Sequence, residues 1–142
     1  MKTNTGEIMA KSTFNLSDLN GANGFAINGI NASDLSGNSV SSAGDINSDG
    51  IDDLIIGTSS EQSYVVFGSK RGFGAQLNLS TLNGTNGFAI NGIINSSASV
   101  SSAGDINGDG IDDLIIGALG ASPNGIVESG QSYVVFGSLS KT

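Results

Sequence analysis

Residues 44–57 read GDINSDGIDDLIIG, and residues 104–117 read GDINGDGIDDLIIG, with Gly108 in the place of Ser48. Each copy is an acidic, glycine-containing loop that is followed directly by a run of aliphatic residues. Glycine and aspartate are typical of tight turns, and short aliphatic runs bounded by turns are typical of strands. The stretch therefore predicts a hairpin loop that leads into a strand, present twice.

The rest of the chain also falls into two copies. LSDLNGANGFAINGI at 16–30 returns as LSTLNGTNGFAINGI at 79–93, and SYVVFGS at 63–69 returns at 132–138. Self-similarity at a fixed period is the sequence signature of a repeat architecture. We therefore divide the 142 residues into an N-terminal tail, a first repeat with a leading outer strand, and a second repeat, with bounds 1–13, 14–72 and 73–142.

Each repeat contains four short apolar runs, represented by GFAINGI, SVSSAGD, DDLIIG and SYVVFG, and glycine or asparagine closes every run. No stretch shows helical spacing over ten residues, so the pattern predicts an all-β chain. Four short antiparallel strands joined by turns describe one blade of a β-propeller, which gives two blades per chain. Because the GFAINGI strand leads its repeat, we expect it to be the outer strand that completes the sheet of another blade.

Two blades do not close a propeller, since propellers typically contain about four to eight. A pair alone would leave apolar faces and strand edges in water. The sequence therefore predicts either that several copies of the chain assemble into a ring or that the chain is an excerpt from a longer propeller. Two, three or four copies would supply four, six or eight blades, and we favour a trimer.

The composition excludes several classes of chemistry. Histidine and cysteine are both absent, which removes catalytic dyads with a histidine base, thiol nucleophiles, disulfides and the usual zinc sites. The net charge of −8 argues against nucleic acid as a partner. No segment has the length or hydropathy of a signal peptide or a membrane span, so we expect no membrane insertion.

The excess negative charge lies in the two repeated loops. Eight of the 13 acidic residues are there, and the other five are balanced by the five basic residues. The loop pattern is DxNxDGxxD, in which side chains at positions 1, 3 and 5 can point inward while glycine at 6 permits a sharp turn. The carbonyl at position 7 and a carboxylate at position 9 would complete an oxygen cage that favours Ca²⁺. An EF-hand is excluded because position 12 is Ile56 or Ile116 where that motif needs glutamate.

The acidic loop followed by DDL, aliphatic residues and glycine, with the YVVFG strand after it, resembles the FG-GAP repeats of the integrin α-subunit propeller and its bacterial relatives. The resemblance covers nearly the whole chain from about Phe14 and implies about two Ca²⁺ per chain and an extracellular or cell-surface location. It implies that Asp52 and Asp112 are not ligands, and we expect them to bond the turn. The ligands that it implies are Asp45, Asn47, Asp49, Ile51 (main-chain carbonyl) and Asp53, with Asp105, Asn107, Asp109, Ile111 (main-chain carbonyl) and Asp113 in the second repeat.

The sequence is compatible with several interpretations. The loops could be acidic turns that hold no metal, and the chain could be two amplified blades with no ligand of their own. With calcium, the resemblance favours a structural scaffold for protein or cell-surface adhesion, and the alternative is a glycan-binding propeller lectin. We expect no enzymatic activity, because every clustered carboxylate belongs to a predicted metal loop.

Overall fold

The computed structural model describes residues 12–92 and 98–140, so most of the predicted tail at 1–13 lies outside the described residues. The described part contains three single-turn 3₁₀ helices, Leu16–Asp18, Leu79–Thr81 and Pro123–Gly125. None of its helices is long and apolar enough to cross a membrane. The all-β prediction is confirmed, with strands β1 (Ala26–Asn28), β2 (Ser39–Gly44), β3 (Asp53–Gly57), β4 (Gln62–Val66), β5 (Gln76–Asn78), β6 (Gly87–Asn91), β7 (Ala98–Gly104), β8 (Asp113–Ala118) and β9 (Gln131–Val135).

The first blade is a four-stranded antiparallel sheet in the order β2-β3-β4-β6. Three of its strands come from the first repeat, and the fourth, β6, is the leading strand of the second repeat. β6 pairs with β4 from Gln62↔Asn91 to Val66↔Gly87. The expectation that GFAINGI completes the sheet of another blade is therefore confirmed for the second repeat.

The second blade has three described strands, in the antiparallel order β7-β8-β9. No strand among the described residues pairs with the outer edge of β9. β1, which leads the first repeat, pairs in parallel with β5 in a separate two-stranded sheet, from Ala26↔Gln76 to Asn28↔Asn78. This differs from the predicted antiparallel position, because within the described residues no blade strand lies beside β1 to pair with it.

The main core lies between the two blades. It joins buried residues of the first blade, such as Ile55 and Val65, to buried residues of the second, such as Leu114 and Ile116. Phe88 and Ile90 of β6 pack against the same cluster. A smaller cluster covers the opposite face of the first blade, where Ile56, Tyr64, Val66 and Leu79 are buried and Ile27, Phe73, Leu77 and Leu82 pack against them.

Candidate metal-binding loops

A β-bulge at the end of β2 and of β7 directs the chain out of the sheet into each acidic loop. In the first blade Ser42 pairs with Leu54 and Gly44 pairs with Asp53, which leaves the residue between them without a partner. Gly44 has a left-handed φ of 67°, and its N–H donates to Ser42 Oγ at 3.1 Å. Gly104 repeats this geometry with a φ of 64°. The same bulge therefore places Asp45 and Asp105 at the start of equivalent loops.

The side chains at positions 1, 3 and 5 of the first loop all turn toward the loop backbone. Asp45 accepts the N–H groups of Asp49 at 3.0 Å and of Gly50 at 2.8 Å, one on each carboxylate oxygen. Asn47 Oδ1 accepts the N–H of Asp49 at 3.1 Å, and Asn47 Nδ2 donates to Asp49 Oδ2 at 3.0 Å. Asp49 Oδ1 accepts the N–H of Ile51 at 2.9 Å. The second loop contains the same five bonds between its corresponding residues.

The single difference between the loops falls on a residue in the left-handed region. Ser48 has a φ of 58° and Gly108 a φ of 78°. Glycine adopts this conformation without the steric penalty that a Cβ atom brings. In the second loop the N–H of Gly108 also donates to Asp105 Oδ1 at 2.8 Å. The loop geometry therefore demands a left-handed residue at position 4, and glycine meets that demand better than serine.

The aspartate at position 9 is buried beneath each loop and holds the hairpin together. Asp53 is 1% exposed, and its two carboxylate oxygens accept the N–H groups of Ile46 at 3.0 Å and Gly68 at 2.8 Å. Asp113, fully buried, accepts the N–H groups of Ile106 at 2.8 Å and Gly137 at 2.9 Å. Each carboxylate thus joins the start of the acidic loop to the residue that follows the YVVF strand.

Burial raises the pKa of the Asp53 carboxyl, and the N–H groups of Gly68 and Ile46 oppose that rise. The nearby carboxylates of Asp49 and Asp45 raise this pKa further by repulsion. The negative charges at positions 1 and 5 therefore act on the carboxylate at position 9. A cation among them would relieve this repulsion.

The structure brings part of the predicted ligand set together. The side chains at positions 1, 3 and 5 share the loop interior, whereas the carboxylate at position 9 lies below them on backbone N–H groups. Across residues 12–92 and 98–140, no group of three or more acidic side chains converges closely enough to hold a metal ion. The predicted metal ligands are all oxygen atoms, which suits a hard cation such as Ca²⁺. The ligand assignment stays a prediction.

The loops also meet at the junction between the blades. Asp112 Oδ2 accepts the N–H of Asp45 at 2.9 Å, although 67 residues separate the two in the chain. The expectation that Asp112 bonds its own turn is therefore wrong, because its carboxylate reaches the preceding blade. Beside this bond, the N–H of Ser138 donates to the carbonyl of Ile46 at 3.0 Å, and that of Ser140 to the carbonyl of Asn47 at 2.8 Å.

The sequence alone does not predict this contact between the blades. The one signal for it is that a second aspartate, Asp52 or Asp112, precedes the position-9 aspartate in both repeats. Within the described residues Asp112 has a partner on the neighbouring blade, whereas Asp52 is exposed and faces no preceding blade. The role of this residue depends on the position of a second blade, which the local sequence does not contain.

Comparison with known proteins identifies the family. A search of curated proteins found none that matches this chain. The family model described as FG-GAP repeat matches residues 36–69 and 97–135, which together make up just over half of the 142 residues. Each match covers three blade strands, β2 to β4 or β7 to β9, and so contains one acidic loop with its hairpin. The all-β blades and both matches show that the chain belongs to the FG-GAP repeat family.

Proposed function

We propose that this chain is a calcium-binding module of an integrin-like β-propeller that acts as a structural scaffold for adhesion to a protein or a cell surface. It has no catalytic role in this proposal, and its location is extracellular or on the cell surface. About two Ca²⁺ bind per chain, one in each acidic loop.

One observation carries the calcium proposal. Two loops at corresponding places in the two blades turn the same oxygen-bearing side chains toward the same backbone groups, with bond lengths that agree closely. In the first loop the side chains are those of Asp45, Asn47 and Asp49. Carboxylate, amide and carbonyl oxygens in a short, glycine-containing loop are the ligands that Ca²⁺ takes in proteins. Mg²⁺ usually retains more water and needs fewer protein ligands.

Bound calcium would neutralise the negative charge of each loop, and the protein would supply the oxygen ligands. Asp45, Asn47, Asp49 and Asp53 would offer side-chain oxygens, and the Ile51 carbonyl would complete the set. Each loop begins at a bulge and ends directly in a strand, so a bound ion would tie the turn to the sheet. Because the first loop also contacts the second blade through Asp112, an ion there would stiffen the junction between blades.

The test is the change in melting temperature between calcium and a chelator. A ligand that binds only the folded state adds RT ln(1 + [L]/Kd) to stability, about 2.7 kcal/mol at one hundred times Kd. We expect calcium to raise the melting temperature and Asp49→Ala or Asp109→Ala to reduce the rise. The matched control is Asp18→Ala, which removes one exposed carboxylate outside the loops and should leave the calcium response intact.

Two results would contradict the calcium proposal. One is a melting temperature that chelator does not move. The other is a calcium response that is equal in Asp49→Ala, Asp109→Ala and the unchanged chain. Isothermal titration with CaCl₂ then gives the number of ions per chain, which we expect to be two.

A groove between the blades favours the lectin as a second candidate. It measures about 590 Å³, and aromatic rings and polar side chains line it together, among them Phe67, Phe88, Phe136, Asn47 and Thr85. Ligand sites typically have volumes of about 300–1,000 Å³ and combine apolar walls with a few polar groups. Sugars present both apolar ring faces and hydroxyl groups, so this lining suits them.

A glycan array separates the two candidates. If the chain is a lectin, we expect it to bind glycans on the array and Thr85→Ala to weaken that binding. Thr81→Ala, which lies outside the groove, should leave glycan binding unchanged. Calcium-dependent attachment to immobilised protein or to cells, without glycan binding, favours the adhesion scaffold.

A further inference from the structure

We propose that the outer edge of β9 binds residues 24–28 of a second copy of this chain, so that two-blade chains join head to tail into a closed ring. The occupant is β1 of the neighbouring copy, added antiparallel as the fourth strand of the second blade. The proposal rests on the blade architecture and does not require calcium.

The chain contains its own template for this contact. Residues 62–69 and 131–138 have the identical sequence QSYVVFGS, and residues 23–30 and 86–93 have the identical sequence NGFAINGI. Within one chain, β4 from the first pair binds β6 from the second pair along five residues. The other two members, β9 and β1, are not paired with each other in the chain. Transferred to them, the register becomes Gln131↔Asn28, Ser132↔Ile27, Tyr133↔Ala26, Val134↔Phe25 and Val135↔Gly24.

β1 presents the correct edge for this pairing. In β6 the carbonyl of Asn86 and the N–H of Gly92 bond toward β4, and alternate residues between them face the same way. The corresponding residues in the first repeat are 23, 25, 27 and 29. Ala26, which lies between them, directs its N–H to the carbonyl of Ala75 on the β5 side. β5 therefore occupies the edge of β1 that corresponds to the unpaired edge of β6. The other edge of β1 corresponds to the edge that β6 pairs with β4. This second edge is directed away from β5.

The second blade exposes the face that the first blade buries. Ile46 is 4% exposed whereas its counterpart Ile106 is 60% exposed, and Val65 is fully buried whereas Val134 is 44% exposed. The first four-stranded blade is covered on this side by the second blade. The equivalent face of the second blade has nothing to cover it in the described residues.

The first blade shows the reverse pattern on its other face. Val100 is 5% exposed against the first blade, whereas its counterpart Val40 is 66% exposed. β1 and its neighbours cover part of this face, where Ile56, Tyr64 and Val66 are buried, and leave the part around Val40 open. The open face of the second blade and this open part of the first blade therefore match the two halves of the internal blade junction. Such a pair of different surfaces makes a heterologous contact, which generates a ring when the rotation closes.

The polar contacts of the junction also have unused counterparts. Asp112 accepts the N–H of Asp45 across the internal junction. The same bond between copies would join Asp52 to the N–H of Asp105. The Ser138 to Ile46 bond would likewise recur as Ser69 to Ile106.

The contact is between chains and not within one. β1 packs through Ile27 against the cluster of Ile56, Tyr64 and Val66, on the face of the first blade opposite the second blade. The first blade therefore lies between residues 24–28 and the open edge of β9. Because propellers contain about four to eight blades, two to four copies close the ring, and we expect three.

Cysteine trapping tests the register. Ala26→Cys and Tyr133→Cys in one chain would face each other across the contact at a non-hydrogen-bonded pair, where Cα atoms about 4.5 Å apart permit a disulfide. The chain has no cysteine of its own, so each crosslink is unambiguous. We expect oxidised glutathione to convert the double variant into a single covalent oligomer on a non-reducing denaturing gel. The control is Ala26→Cys with Ser101→Cys on β7, at the opposite edge of the same sheet.

Light scattering on the unchanged chain gives an independent measurement. We expect a mass of three times 14.2 kDa at micromolar concentration, equal to the size of the trapped oligomer. A folded monomer overturns the proposal. Equal crosslinking of the control pair overturns the register. A failure of calcium to bind leaves both readouts unaffected, so the two proposals can fail separately.

Discussion

Replacing Asp113 by alanine should lower the stability of the second hairpin. The carboxylate is fully buried and accepts two backbone N–H groups, Ile106 at 2.8 Å and Gly137 at 2.9 Å. A buried donor left without a partner costs about 1–3 kcal/mol. The amide of Gly137 is buried and takes the full penalty, whereas water can reach that of Ile106 in its exposed loop. We therefore expect the free energy of unfolding to fall by about 1–3 kcal/mol, measured by urea titration in chelator so that calcium plays no part.

Asp113→Asn separates hydrogen bonding from side-chain volume. Asparagine keeps one acceptor oxygen but places an NH₂ group against the other N–H, so we expect a smaller loss than with alanine. Asp18→Ala, which removes an exposed carboxylate, controls for the change in net charge and should be nearly neutral. A loss below about 1 kcal/mol for Asp113→Ala would refute the conclusion that this carboxylate stabilises the hairpin through its two hydrogen bonds. Even one unsatisfied buried amide should cost about 1 kcal/mol or more.

Three further predictions concern the backbone and alkaline pH. Gly44→Ala should lower the melting temperature, because Gly44 has a left-handed φ and a Cβ there would overlap the carboxylate of Asp112; an unchanged melting temperature would contradict the junction geometry. Ser48→Gly should be neutral or stabilising by about 0.5 kcal/mol, since relief of left-handed strain slightly exceeds the entropy of glycine, and a clear loss in urea titration would argue otherwise. Burial, and then the charge of Asp34, raises the pKa of Tyr64, so its contribution to stability is complete below about pH 10 and is lost as pH rises through the folded-state pKa; Tyr64→Phe should show a weaker alkaline loss in pH-dependent melts.

Much of the fold follows from the sequence because the repeats carry strong local signals. Alternating apolar residues bounded by glycine and asparagine predicted the eight strands that form or begin the blades. The position of GFAINGI ahead of each repeat predicted that it would serve another blade, and β6 does so. β5 was not predicted, because its three residues, Gln76–Asn78, have no alternating pattern and it forms by pairing with β1.

The candidate loops were predicted in part for a similar reason. The spacing of positions 1, 3 and 5 and the glycine at 6 determine how the turn folds locally, and the structure has these side chains directed inward. The position-9 aspartate is buried and links two segments of the hairpin, because a residue that follows β4 or β9, Gly68 or Gly137, supplies one of its N–H partners. Because this partner lies 15 or 24 residues away in the sequence, the spacing of residues within the loop does not predict it.

Identical sequences in this chain have unequal burial, and that inequality is informative. A strand such as QSYVVFGS has the same propensity in both repeats, so the difference between buried Val65 and half-exposed Val134 arises only from what lies beside each blade. Burying valine contributes about 1.5–3 kcal/mol relative to leaving it exposed, and the aliphatic residues of the second blade have the same potential gain as those of the first. The first repeat obtains this gain from the second. The second repeat would obtain the same gain if another blade covered it, so in the proposed ring one sequence would stabilise both the internal junction and the junction between copies.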